Sequence, residues 1–246
     1  MADLVSYSTH DAVAVLRIQN PPVNALSQAV RQGLAEGIGR AEADAAIKAV
    51  VIVGDGRAFI AGADITEFGK PPMEPNLPDM CTRIESSALL VIASMHGVSL
   101  GGGLEIALGA HYRVAQPDAV VGLPEVHLGL LPGAGGTQRL PRLTGSEKAI
   151  EIMISGRQIK SDEAQAMGII DKIEEGDPQE IGLAYAQELL GAGAAPRRVS
   201  QLPPPDALDW GAVHAGAISK ARGQISPAAI VRAVQAASEL SFDEGF

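Results

Sequence analysis

Three consecutive glycines, Gly101, Gly102 and Gly103, stand just ahead of Glu105, and Glu125 follows Pro124 a short way downstream. Glycines let a backbone come close to a ligand, and a helix opening there aims free N–H groups and the positive end of its dipole at the same spot. Such a corner stabilises negative charge, either on a phosphate or on a thioester carbonyl that becomes enolate-like. An unliganded strand-to-helix turn uses the same residues, so the triplet alone decides nothing. Glu105 falls in the first helical turn, where the dipole stabilises any carboxylate. Glu125 falls at the end of a strand, where open sheets collect ligands. Two carboxylates converging beside an oxyanion donor can divide acid and base roles.

A rival motif overlaps this stretch. Gly97-Val98-Ser99-Leu100-Gly101 matches the Gly-x-Ser-x-Gly elbow of serine hydrolases. A triad would need an acid and then a histidine downstream, and Asp118 followed by His127 or His214 has that order with no supporting signature. Short elbow matches arise easily, so Ser99 ranks as a packing residue first and a nucleophile second. The five histidines show no paired helical spacing with carboxylates, so no metal site is expected, and His96 and His127 are read as core or rim residues. The dinucleotide fingerprint and the Walker loop are missing, which argues against dinucleotide or triphosphate chemistry within this chain.

The elements that must position these residues follow from the apolar pattern. Residues 12–18 are apolar nearly throughout and stop at Pro21-Pro22, which predicts a strand buried on both faces. Ser27 then caps a helix with Val30, Leu34, Ile38 and Ala41 on one face, and residues 49–53 form a β-branched strand. That strand–helix–strand unit predicts an α/β fold with a parallel sheet. The proline-rich stretch 69–78 is expected to be a mobile loop of the kind that forms lids. Residues 84–92 read as a helix leading into a short strand, the glycine triplet opens a helix through Gly109, and 120–123 is a strand. Further helices are expected near Ser146, Ser161 and Pro178, then an irregular proline-bearing stretch 192–206, then two helices, the second opened by Ser226-Pro227.

A net charge of −10 on 246 residues, with no dense Lys/Arg cluster, argues against nucleic acid or an anionic membrane as partner. Cys81 is the only cysteine, which fits a reducing compartment and a buried, inert thiol. The most apolar region, 87–110, is broken by His96, the glycines and Glu105, and no leader pattern opens the chain. The expectation is a soluble, cytoplasmic protein, with the peroxisome as the alternative.

Three ordered segments together carry a resemblance. Arg57-Ala58-Phe59-Ile60-Ala61-Gly62-Ala63-Asp64-Ile65, then His96-Gly97-Val98-Ser99-Leu100-Gly101-Gly102-Gly103-Leu104-Glu105, then Pro124-Glu125 through Pro132-Gly133-Ala134-Gly135-Gly136-Thr137-Gln138-Arg139-Leu140 are similar to the crotonase family, specifically its enoyl-CoA hydratases. The likeness covers most of residues 5–190. It implies a ββα spiral core over residues 1–190, with 191–246 as a C-terminal helical or linker segment. It implies that the N–H groups of Ala63 and Gly102 form an oxyanion hole for the thioester carbonyl. Glu105 becomes the base toward water, Glu125 the acid toward the α carbon, and the backbone at Gly133 helps hold the water. Arg57 meets a coenzyme A phosphate, and Ala61, Asp64, Ile65 and Gly101 lie along the bound substrate. No cofactor is implied, since coenzyme A belongs to the acyl-CoA substrate. Thr66 stands where many hydratases have a lysine, which implies either a weaker hold on phosphate or a contact from Lys70 instead.

Residues 218–239 are similar to the linker region of bifunctional hydratase/3-hydroxyacyl-CoA dehydrogenases. This implies a monomer rather than the trimer or hexamer of lone hydratases, and a dehydrogenase domain missing after Phe246. Isomerisation of a 3-enoyl to a 2-enoyl thioester at the same site is a second implied activity, and a binding domain without turnover is the non-enzymatic alternative.

Overall fold

The computed structural model describes residues 4–67, 69–71, 73–221 and 223–246, so Pro72 of the proline-rich stretch and Arg222 of the C-terminal part lie outside the described residues. The hairpin of β1 (Val5–His10) and β2 (Val13–Ile18) opens the chain, and α1 (Gln28–Ala43) crosses to β3 (Ala49–Gly54). Helix α2 (Leu77–Glu85) leads to β4 (Leu90–Met95), then β5 (Val98–Leu100) and α3 (Gly102–Gly109) lead to β6 (Tyr112–Ala115) and β7 (Val120–Gly122). Helices α4 (Gly136–Thr144) and α5 (Ser146–Ser155) precede β8 (Ile159–Lys160), α6 (Ser161–Ala166), β9 (Lys172–Ile173) and α7 (Pro178–Gly191). The chain ends in α8 (Trp210–Lys220), α9 (Ser226–Glu239) and α10 (Phe242–Gly245).

The main sheet runs β1-β2-β3-β4-β6-β9 and is parallel except at the β1–β2 hairpin. Its central strands are apolar at successive positions because both faces are covered. Val13, Val15, Val51, Val53 and Ile92 point to the layer holding Ile181 and Leu189 of α7. Ala14, Leu16, Val50, Ile52 and Val91 point to the layer of Val30, Leu34 and Ile38 from α1. A small second sheet, β5-β7-β8, stands beside the first and supports the glycine triplet. Among the described residues no helix is long and apolar enough to cross a membrane.

This mixed α/β architecture with a parallel sheet is the expected one, and most elements lie where the pattern placed them. Four details differ. Strand β1, whose sequence VSYSTH has no apolar run, was invisible because it is a sheet edge with alternating exposure. The helix read at 84–92 is instead α2: Asn76 accepts from the Asp79 N–H and Pro78 occupies the first turn, so the proline-rich stretch supplies a helix start. Two carbonyls of that stretch, those of Met73 and Pro75, are held by hydrogen bonds. The buried Arg31 donates to the carbonyls of Met73 (3.3 Å), Pro75 (2.7 Å) and Leu26 (2.8 Å), and to Glu67 (2.9 Å). Finally, Ser27 and Ser226 mark helix starts, yet among the described residues neither hydroxyl caps anything; both are buried without a partner.

The irregular stretch 192–206 runs against the body of the protein. Arg197 pairs with Asp171 at 2.5 Å, and the Ser200 N–H donates to Glu85 at 2.8 Å. Beyond it, Ile230, Val231 and Val234 of α9 enter the same core as Leu140 and Ile152.

Candidate active site

The segment before Ala63 is aligned by strand-like bonding to β5. Phe59 N donates to His96 O (3.0 Å), Ile60 N to Val98 O (3.3 Å), and Leu100 N to Ile60 O (3.1 Å). From the other side, Leu26 N donates to Gly62 O at 2.9 Å. Gly101 then turns the chain from β5 into α3 with φ of 52°, a conformation that favours glycine. The two turns bring Ala63 and Gly102 side by side: a methyl placed on Gly102 would lie 3.5 Å from the Ala63 nitrogen. Among the described residues neither N–H is hydrogen-bonded. Two adjacent backbone donors, one of them at the opening of α3, are an arrangement that can stabilise a developing oxyanion.

Glu105 lies one turn into α3 and is buried at 2% exposure. Its Oε1 accepts from the N–H groups of Ala134 (2.7 Å) and Gly136 (2.9 Å). Burial raises its carboxyl above the usual range, opposed by the Gly136 and Ala134 bonds and then by the charge of Arg139. Glu125 opens a 3₁₀ turn directly after Pro124, and its Oε2 is buried without a partner among the described residues. Burial, with the Glu105 charge as the second cause, pushes its carboxyl up to about 8. Glu125 also borders the oxyanion corner, since a methyl on Gly101 would meet its Oε1 at 3.2 Å.

The remaining expected residues are placed more loosely. Arg57 and Lys70 are exposed, and Ile65 leaves 71% of its surface to solvent. Asp64 accepts from the Thr66 N–H at 2.9 Å, which holds its carboxyl below the usual carboxylate range. Ala61 N donates to Val23 O at 3.0 Å, fixing the strand that leads to Ala63. Gly133 is itself exposed, and it is the peptide joining it to Ala134 whose N–H reaches Glu105. Ala134, Gly136 and Arg139 stand in the third matching segment with no role read for them, and Glu85 has no signal in the sequence. The glycine-rich turn before α4 was the available signal, but it does not say where its N–H groups point.

Ser99 sits in the middle of β5, paired with Val121 and bridged to Ile60, fully buried and with no partner for its hydroxyl among the described residues. His127 is exposed and His214 bonds Gln235 at 3.1 Å, so neither serves Ser99 as a base. His96 bonds the Gly56 carbonyl at 3.1 Å, and burial lowers its pKa, as suits a neutral core imidazole. The hydrolase reading fails on this geometry. Ser99→Ala should keep thioester turnover within about twofold of wild type, because only a buried packing contact changes. A fluorophosphonate probe should leave the wild-type chain unlabelled; labelling lost in the variant would reverse this conclusion.

Comparison with known proteins follows the same lines. A family model described as Enoyl-CoA hydratase/isomerase matches residues 8–214. The chain is 44% identical over 239 residues to the Peroxisomal bifunctional enzyme of Danio rerio, covering 95% of this chain and 33% of that protein. It therefore spans about a third of the length of the bifunctional relatives it matches. It is 40% identical over 205 residues to a Probable enoyl-CoA hydratase of Bacillus subtilis, covering 80% of each chain. Among solved structures, an enoyl-CoA hydratase from Bacillus anthracis superposes with a TM-score of 0.71 at 30% identity, over 76% of each chain. The family match takes in Ala63, Glu105 and Glu125 alike, and the chain belongs to the enoyl-CoA hydratase/isomerase family.

Proposed function

We propose that this chain adds water across the double bond of a 2-trans-enoyl-CoA to give the 3-hydroxyacyl-CoA, as a step of fatty acid β-oxidation. The observation that carries the reading is the unequal setting of two carboxylates, Glu105 buried and Glu125 half-buried, beside two N–H groups with no partner among the described residues. Glu105 accepts from two N–H groups, which can only donate and so favour its anion. Glu125 has an oxygen with no donor among the described residues and a carboxyl pushed up to about 8, and in this reading the one proton of the pair starts on Glu125.

Each group then has one task. The N–H groups of Ala63 and Gly102 take the thioester oxygen as its charge grows. Glu105 removes a proton from water as the oxygen bonds to the β carbon, and Glu125 gives its proton to the α carbon. The C=C bond is lost, C–O and C–H bonds form, and the pair finishes with its one proton on Glu105. Return of that proton to Glu125 resets the site. Arg57 and Lys70 at the rim would meet the coenzyme A phosphates, and the 61–65 segment the pantetheine. The relatives' names support a peroxisomal setting, and the packing of α9 on α4 and α5 supports a monomer.

Disappearance of the conjugated thioester absorbance on adding the protein to a 2-trans-enoyl-CoA tests the reading. Turnover of at least about 1 s⁻¹ is expected, the lower range of ordinary enzymes; an unchanged spectrum at micromolar protein would sink it. A second reaction is favoured by one observation: an acid at about 8 presents both protonation states near neutrality. Glu125 alone could then take a proton from the α carbon of a 3-enoyl-CoA and return it at the γ carbon.

A further inference from the structure

Arg139 of α4 is 1% exposed, and all three guanidinium nitrogens are engaged inside the protein. Its Nε and Nη2 donate to Glu85 Oε2 at 3.3 and 2.7 Å, and its Nη1 donates to the Ala134 carbonyl at 3.2 Å. That carbonyl belongs to the peptide joining Ala134 to Gly135. The two N–H groups that grip Glu105 belong to the peptides on either side of it. Gly135, at φ of 98°, turns both N–H groups toward one side, the geometry of an anion-binding nest. No other residue fits there, since a Cβ would stand 2.2 Å from Arg139 Nη1.

A lone buried guanidinium is costly, and here Glu85 offsets it. The second oxygen of Glu85 is held in turn by the Ser200 N–H at 2.8 Å. Among the described residues the titratable groups facing Glu105 are Cys81 from α2, Glu125 from the 3₁₀ turn and Arg139 from α4. Burial pushes the Cys81 thiol up, so it is neutral. Arg139 is thus the one cation among them.

We propose that Arg139 is the positioning residue of the general base: it pins the 134–136 turn so that both N–H groups meet Glu105, supplies the buried positive charge that offsets the carboxylate's desolvation, and is itself held by Glu85. This rests on the reading of Glu105 as the base. It makes opposite predictions for the two ends of the ion pair. Arg139→Gln removes charge and pin together, so kcat for hydration falls on the order of 100-fold, as when a catalytic group is misplaced by about an ångström. KM stays within about twofold of wild type, because this residue does not touch the thioester. The acid limb of the kcat/KM profile moves to higher pH. Glu85→Gln leaves the Arg139 charge uncompensated and moves the acid limb to lower pH. Arg139→Lys keeps the charge but cannot span Glu85 and the Ala134 carbonyl, so the limb stays near its wild-type place while kcat remains low.

A purely structural pair would move both limbs together or not at all, and either result overturns the proposal. Titration of the ¹³C-labelled Glu105 carboxyl, identified by its loss in Glu105→Gln, reads the same shifts without substrate. Should the Arg139 variants fail to fold, the wild-type Arg139 Nε resonance must still move in step with Glu105 ionisation; a silent resonance overturns the proposal. An inactive wild type would defeat the hydratase reading alone, leaving the titration to judge the positioning role.

Discussion

Glu125→Gln lowers hydration turnover by about 10³-fold, the middle of the range for loss of a general acid, and leaves KM within about threefold of wild type. Glutamine matches the carboxyl in size and donates hydrogen bonds, but it releases no proton to the α carbon. The same change stabilises the fold, with a defined pH dependence. The Glu125 carboxyl is raised from 4.5 to about 8, so between these values the folded chain binds one more proton than the unfolded chain. Wild-type stability associated with this group is fully present below about 4.5 and is lost as pH rises toward 8. The slope is on the order of 1.4 kcal/mol per pH unit. Melting curves of the two proteins should therefore agree near pH 4.5 and diverge steadily above it, the variant melting higher. Parallel curves across that window would mean that Glu125 is no more acidic or basic than an exposed glutamate. A site residue whose removal stabilises the fold while abolishing turnover is the pattern of a group buried for chemistry.

Glu105→Gln separates the two reactions. Hydration falls by about 10³- to 10⁴-fold, since the base toward water is gone. Isomerisation of a 3-enoyl-CoA stays within about fivefold, because the proton passes through Glu125 and the Ala63 and Gly102 donors are untouched. The fold survives because the glutamine oxygen still accepts from the Ala134 and Gly136 N–H groups. Parallel assays with 2-enoyl and 3-enoyl thioesters on one preparation check this. Equal loss of both activities would show that the carboxylates act as an inseparable unit and would overturn the division of roles.

Much of this architecture was legible in the chain. Apolar runs such as 13–18 and 49–53 predict strands covered on both faces, and Pro178 and Gly191 bracket a helix that the structure reproduces. The glycine triplet, Glu105 and Glu125 announce a site because their residue types and the order of strand, turn and helix are local properties. Local properties are also what misled: Asn76 and Pro78 start a helix inside a stretch whose prolines read as a loop. The edge strand β1 has no pattern of its own and exists because β2 pairs with it.

What the sequence by itself determined is the identity and order of the groups, a glycine corner followed by two carboxylates. Tertiary structure alone decided their states. Ser99 and Glu105 both belong to the same glycine-rich segment, yet the Ser99 hydroxyl is buried without a partner among the described residues and the Glu105 carboxylate receives two N–H donors from a turn some thirty residues away in the chain. Glu125 is an ordinary acid in the unfolded chain, and its carboxyl rises to about 8 only once packing removes its water and sets it near the Glu105 charge. The Glu85–Arg139 pair joins α2 to α4 and has no sequence period that could announce it. Desolvation and long-range contact depend on which surfaces the fold closes together, and that information appears only when the chain has folded.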